Sequence, residues 1–279
     1  IFKNSTVSSS SLGGIWLTGN DNTVDNNEIP ANTGDGIKVD GDGNTIQDNE
    51  IHDNSDHGIN ATGDDNSFTD NIIEDNSDDG VKVSGEDNVF EDNSILTNGF
   101  NGIWVTGNDN NFNGNEIDDN PVHGIEIEGD DNDMDSNNLD GNGDDGIKIS
   151  GDSNTIEDNE IDNSDDNGIN ITGDSNTIDN NNLDGNGVDG IKVTGDDNTI
   201  ENNTVDDSDD DGIYITGDDN TVDTNTSSNN GESGIKVTGD SNLIKDNQTN
   251  DNDDDGINAD ENNGASNTDL DGNDADDNG

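Results

Sequence analysis

Twelve positions, spaced 22 residues apart, carry the side chains best suited to ligand chemistry: Trp16, Lys38, Asn60, Lys82, Trp104, Glu126, Lys148, Asn170, Lys192, Tyr214, Lys236 and Asn258. Five of the seven lysines, both tryptophans and the only tyrosine fall in this column. Aromatic faces stack on sugar rings, and ammonium groups pair with carboxylates or sulfates. The column is a candidate glycan-binding stripe, with Trp16, Lys38, Lys82, Trp104, Lys148, Lys192, Tyr214 and Lys236 as its binding residues. An aspartate stands three positions before four of the lysines: Asp35, Asp79, Asp145 and Asp189. A plainer reading follows from that. Lysine relieves repulsion inside an acidic face, and aromatics favour a flat strand surface.

No residue stands out as catalytic. Carboxylate pairs occur on nearly every repeat, so a pair at glycosidase spacing carries no information. His57 and His123 are three repeats apart, roughly 14 Å at the strand spacing, too far to share a metal. His52 and His57 share a loop and have the reach to do so; a solvated turn is the plainer reading. The absence of cysteine and the single methionine argue against copper. Asp207, Asp209, Asp210 and Asp211 offer oxygen ligands suited to calcium, without the nine-residue Gly-Gly-x-Gly-x-Asp calcium repeat. No cofactor is required on this reading; calcium or high-salt counter-ions are the candidates. Glycosylation sequons stand at Asn4, Asn60, Asn170, Asn202, Asn225 and Asn247, and only Asn60 and Asn170 fall on an expected outward sheet face.

The elements that position the stripe follow from the repeat. A glycine recurs at 14, 36, 58 and so on to 256, always 22 apart. The next residue is Ile, or Val81; two further on it is aliphatic, as in Leu17, Val39 and Ala61. The stripe residue lies between them. This period-2 alternation predicts a strand with one buried face. A Gly-Asx turn follows, then an asparagine column from Asn22 to Asn242 and an apolar column from Val24 to Ile244. A second asparagine column, Asn27 to Asn247, precedes an apolar column that runs from Ile29 to Val205 and fades at Ser227 and Thr249. A variable Asp/Asn/Ser/Gly loop closes the unit. Each repeat thus predicts three short strands, three bends and about four inward apolar side chains. One repeat cannot bury its own face, so copies must stack. The asparagines have two readings: inward amide ladders that satisfy the bends' backbone groups, or left-handed turn formers.

Composition alone points elsewhere. Only 22% of the chain is hydrophobic and the net charge is -63, a disorder-like balance. The fixed apolar columns override it. With 70 acidic residues and no arginine, self-repulsion opposes compaction at low salt. Screening at molar salt removes most of it, so the surface is read as salt-adapted; a calcium-loaded low-salt protein is the alternative. Clustered cations for nucleic acid are lacking, and no apolar run is long enough to span a membrane.

Gly-Ile-x-Val-x-Gly, then Asn-Thr-Ile, then Asn-x-Ile, at a step of 22, resembles the right-handed parallel β-helix repeat family, which includes pectate lyases, polygalacturonases and many surface and phage proteins. The resemblance covers nearly the whole chain and is specific for fold. It implies an all-β, right-handed parallel β-helix solenoid of about 12 rungs with three parallel sheets, and it directs attention to the outward face of the first sheet, where related enzymes work. Pectate-lyase-like enzymes commonly use an arginine base, which is missing here. Residues 1–279 are expected to form one solenoid, with a partial rung over 1–13, regular rungs over 14–260 and a degenerate last rung over 261–279; without visible caps, it reads as a piece of a longer protein. Phe2 and Val7 fit the second and third strand columns, and the motif is expected to resume about three residues late over Gly264-Ala265-Ser266-Asn267-Thr268.

The function expected is a structural and adhesive shaft, extracellular or on a cell or virion surface, with a polysaccharide or surface glycan as partner and self-assembly into oligomers or filaments. A polysaccharide-active lyase or hydrolase is the alternative. A flat threonine face from Thr172, Thr194, Thr216 and Thr238, binding ice or a crystal, is a third option.

Overall fold

A computed structural model describes residues 1–259, 268–276 and 278–279. Among them the regular structure is all β, and no helix is long and apolar enough to cross a membrane. The chain makes about twelve turns of 22 residues with three parallel sheets, as the repeat predicts. A typical turn has a four-residue strand, Ile37–Asp40, then two three-residue strands, Thr45–Gln47 and Glu50–His52. The chain divides into two compact units, Ile1–Gly143 and Asp144–Gly279, and in each unit the corresponding strands of successive turns pair in parallel.

The register explains the constancy of the step. In the first unit Ile37 pairs with Ile59 and Lys38 with Asn60, and the next turn adds Val81 and Lys82. In the second unit Ile191 pairs with Ile213, and Ile213 with Ile235, in the same way. Identical columns therefore stack, and one inserted residue would turn a whole strand's side chains over. Ile37 and Val39 are buried while Lys38 and Asp40 are exposed, the alternation expected of a strand with one wet face. Each inward aliphatic contributes on the order of 1.5–3 kcal/mol. Phe68, Phe90 and Phe112 fill one column as a stack, with centroids 5.1 and 4.6 Å apart.

The asparagine columns are inward ladders, and the left-handed conformation belongs to the residue before each one. Asp48, Asp70 and Asp92 have φ of 55°, 54° and 52°, and each precedes a buried asparagine, Asn49, Asn71 and Asn93. Asn49 donates its backbone N–H and Nδ2 to Asn71 Oδ1 at 3.1 and 3.0 Å, and Nδ2 also reaches the Val24 carbonyl at 3.1 Å. A sharp bend takes backbone groups out of the sheet ladder, and the amides satisfy them. Part of the acidic composition belongs to such bends, because aspartate tolerates positive φ.

The closing loop, expected to be variable, holds a third inward ladder. Asn32, Asn54, Asn76, Asn98 and Asn120 are buried and bond one another across turns, with Asn54 Nδ2 2.9 Å from Asn76 Oδ1. In the second unit the column runs Ser164, Asn186, Ser208, Asn230 and Asn252. The opening glycine is required by this crowding. A Cβ on Gly36 would lie 2.5 Å from Ile51 Cγ2 and 2.6 Å from the Gly58 carbonyl oxygen.

Phe2 pairs with Val24 and Thr6 bridges Glu28, as expected for a preceding turn. Leu270 pairs with Ile244, a step of 26 that places the resumption four residues late rather than three. Glu261 and the Gly264-Ala265-Ser266-Asn267 segment lie outside the described residues.

Candidate functional site on the first sheet

The outward face of the first sheet is built one residue per turn. In the first unit Trp16, Lys38, Asn60, Lys82, Trp104 and Glu126 are direct neighbours in register. In the second, Asn170, Lys192, Tyr214, Lys236 and Asn258 follow Lys148 in the same way. Lysines lie against aromatics: Lys82 Nζ is 4.0 Å from the Trp104 ring centroid and Lys38 Nζ is 5.9 Å from that of Trp16. Tyr214 is flanked by Lys192 at 5.7 Å and Lys236 at 5.1 Å.

Beside the stripe runs a column that the sequence marks only as the residue before each glycine. It is buried. Asp79 Oδ1 accepts the Asn101 N–H at 3.1 Å, Asn101 Oδ1 accepts the His123 N–H at 3.0 Å, and Asp189 Oδ1 accepts the Asp211 N–H at 3.2 Å. These carboxylates belong to a fourth ladder and carry the cost of burial. Burial pushes Asp189 up to about 6 against the opposing effect of Lys192. Burial likewise raises Asp211, although Lys236 donates to it at 2.8 Å, and raises Asp35 despite His57 and Lys38.

The lysines divide accordingly. Lys192 lies 3.3 Å from Asp189, the pair that the three-residue spacing suggests. Lys38 is 4.0 Å from Asp35. Lys236 reaches back one turn to Asp211 and also contacts Glu232 at 3.3 Å. Lys82 has no carboxylate within ion-pair distance among the described residues. Its expected partner Asp79 instead faces His57 on the preceding turn.

Lys82, Trp104, His57, Asp79, Phe100 and Glu126 line one cleft of about 210 Å³. The Trp104 indole N–H is buried and has no hydrogen-bond partner. His57 is 6% exposed; its Nδ1 is 3.3 Å from Asp79 Oδ2, outside hydrogen-bond geometry, and its Nε2 is 3.7 Å from Asp78 Oδ2. Burial pushes the His57 pKa down, but the carboxylates of Asp79, Asp78 and Asp35 outweigh it and hold it above its ordinary value. In the sequence His57 stands out only as a candidate metal ligand, and Phe100 is a cleft residue that spacing did not single out. The signal was present: Phe100 is half exposed at a loop position that is Asp56 and Asp78 on the two preceding turns. A second depression, lined by Trp16, Lys38, Leu12, Asp35 and Asp56, lies on the same sheet. A larger groove, lined by Glu28, Asp48, Glu50 and Asp70, is acidic and holds no cation for an anionic ligand.

His52 pairs with Asp53 at 2.9 Å and joins His57 in no group of metal-ligand atoms among the described residues. Ligand atoms of His57, Asp78 and Asp79 lie within 4.8 Å of one another, as do those of Asp35, Asp56 and His57. Of the calcium candidates, Asp207 gathers with Asp184 and Asp206, Asp209 and Asp210 are exposed, and Asp211 is buried against Lys236. The outward Asn60 donates to Asp35 at 3.2 Å.

Among solved structures the chain is similar to the periplasmic alginate epimerase AlgG, at 14% identity and a TM-score of 0.67, covering 96% of this chain and 78% of that one. The Azotobacter vinelandii mannuronan C-5 epimerase AlgE4 A-module gives 15% and 0.65, covering 95% and 78%. The Dettilon tailspike protein gives 16% and 0.50, covering 96% and 56%. At these identities the likeness is one of fold. No curated protein sequence matches significantly. The family described as the right handed beta helix region matches residues 1–120, 101–191 and 167–279. The chain belongs to the right-handed parallel β-helix family.

Proposed function

We propose that the first-sheet cleft of the Ile1–Gly143 unit binds an anionic polysaccharide of the uronate class and acts on it. One observation carries this reading: Lys82 holds its ammonium over Trp104 without a carboxylate partner, in a protein of net charge -63. The lysines at 192 and 236 compensate buried aspartates, whereas Lys82 presents its charge to the cleft. Trp104 offers a ring face for a sugar. The similarity to an alginate epimerase and a mannuronan epimerase agrees with a uronate ligand. The tailspike similarity suits a binding shaft, and either setting is extracellular, periplasmic or on a surface.

The chemistry that suits these groups is proton transfer beside a carboxylate. Lys82 pairs with the uronate carboxylate and stabilises the enediolate formed when C5 loses its proton. Neutral His57, whose Nδ1 lies 3.3 Å from Asp79 Oδ2, accepts that proton. The electron pair then either takes a proton from water at C5 on the opposite face or expels the 4-linked oxygen, which leaves with a proton from water; in both cases His57 releases its proton to solvent.

Calorimetric titration of the protein with polymannuronate, polyguluronate and polygalacturonate tests binding. Ultraviolet absorbance of unsaturated ends and proton spectra of the anomeric region test turnover. Binding of at least one polyuronate, weakened in Lys82→Ala, is expected, together with turnover abolished in His57→Gln. Absence of binding to all three would overturn the reading; binding without turnover would leave only the binding half standing.

A further inference from the structure

From the spacing of the cations we infer that the ligand is an extended, two-fold glycan ribbon lying along the stack, with one charge facing the protein at every second sugar. This deepens the glycan-binding reading of the same sheet and rests on it. In the first unit five successive turns read Trp16, Lys38, Asn60, Lys82 and Trp104, an arrangement symmetric about Asn60. An aromatic closes each end, and each lysine lies against the aromatic outside it. The two lysines are two turns apart, about 10 Å at the strand spacing. In the second unit Lys148, Lys192 and Lys236 keep the same interval, but there Lys192 and Lys236 are held by Asp189 and Asp211, so it is the first unit that presents the register to a ligand.

The polymer chemistry that fits this interval is specific. A pyranose linked through equatorial bonds at both ends advances by roughly one strand spacing per ring. Successive rings of such a ribbon are turned over by half a turn, so the carboxylates on one edge recur at every second ring. All rings stay parallel, so the sugars at the two ends of the segment can lie on Trp16 and Trp104 at the same time. A chain linked through axial bonds is buckled and offers no continuous flat face. Asn60, between the lysines, places no charge under the ring whose carboxylate points to the other edge, its amide N–H being held by Asp35. A turn carrying a third lysine would gain nothing from such a ribbon, and the sequence has none there.

The test moves the charge without changing its amount. The double variant Asn60→Lys/Lys82→Asn exchanges residue types that this column already accepts, preserves composition and places the lysines on adjacent turns. Titrations use mannuronate hexamers as the flat ribbon and guluronate hexamers as the buckled control, with melting curves to verify folding. The wild type is expected to prefer the mannuronate hexamer, and the variant to lose about fivefold in affinity for it, the scale of one ion pair. The guluronate affinity is expected to change little. Equal affinity of the folded variant and wild type for the mannuronate hexamer, or a wild-type preference for guluronate, would overturn the register. A wild type that binds neither hexamer would instead overturn the glycan-binding reading itself.

Discussion

Lys82 Nζ lies 4.0 Å from the centroid of the Trp104 ring on the next turn, while Asp79, three residues before that lysine, faces His57. The stacking joins a cation and an aromatic face into one platform. Trp104→Ala removes both the ring and the support for the lysine, a contact worth roughly 0.5–2 kcal/mol. We expect about a tenfold loss of polyuronate affinity in Trp104→Ala and a smaller loss in Lys38→Ala, measured by calorimetry. The distances order these effects, since Lys38 is 5.9 Å from Trp16 and also 4.0 Å from Asp35.

The ladders make a stability prediction. Asn71→Ala takes the acceptor from the Asn49 N–H and the amide donor from the Ile46 carbonyl, while Asn49 Nδ2 keeps the Val24 and Gln47 carbonyls, and each buried orphan costs about 1–3 kcal/mol. A loss of about 3–5 kcal/mol is expected in denaturant unfolding. Ser208 offers the converse. Its Oγ is buried without a partner between Asn186 and Asn230 of the same column. Ser208→Asn is expected to complete the ladder and add about 1 kcal/mol; a destabilised variant would refute the assignment of that column.

Acid is expected to stabilise the fold. Burial holds Asp118 and Asp189 at about 6, above their ordinary 3.8. Between those values the folded protein binds more protons than the unfolded chain, so their contribution is fully present below the unfolded value and is lost as pH rises through about 6. His57, also raised, acts in the same direction, its contribution being present below 6.5 and lost as pH rises through the folded value. Melting temperature should therefore climb as pH falls from about 7 to about 5. Asp189→Asn should raise it at the upper pH and flatten the slope. Turnover should follow the opposite course, because His57 accepts a proton only when neutral.

Salt supplies a separate test. With a net charge of -63, long-range repulsion opposes compaction, and molar NaCl shortens its range to about 3 Å. We propose that the protein is salt-adapted and expect its melting temperature to increase steadily from dilute buffer to molar NaCl. A melting temperature indifferent to NaCl would remove that proposal.

The strands, their register and the inward columns were legible in the sequence because stacking identical turns forces like onto like. The constant step from Gly36 to Gly58 to Gly80 carries that information directly. The third ladder was equally present as Asn32, Asn54 and Asn76, but turn-forming residues also crowd such loops, so composition concealed it. Spacing alone could not assign the left-handed role either. Asparagine favours both that conformation and inward hydrogen bonding, and only the backbone angles separated Asp48 from Asn49.

The sequence by itself thus determined which residues share a column, since the column is a matter of period. Tertiary structure decided which members of a column face a charge, a ring or nothing. Lys192 and Lys82 have the same spacing to an aspartate, yet one is paired with Asp189 and the other lies over Trp104. The difference arises between turns, where side chains far apart in the chain compete for the same neighbour, and no one-dimensional period records that competition.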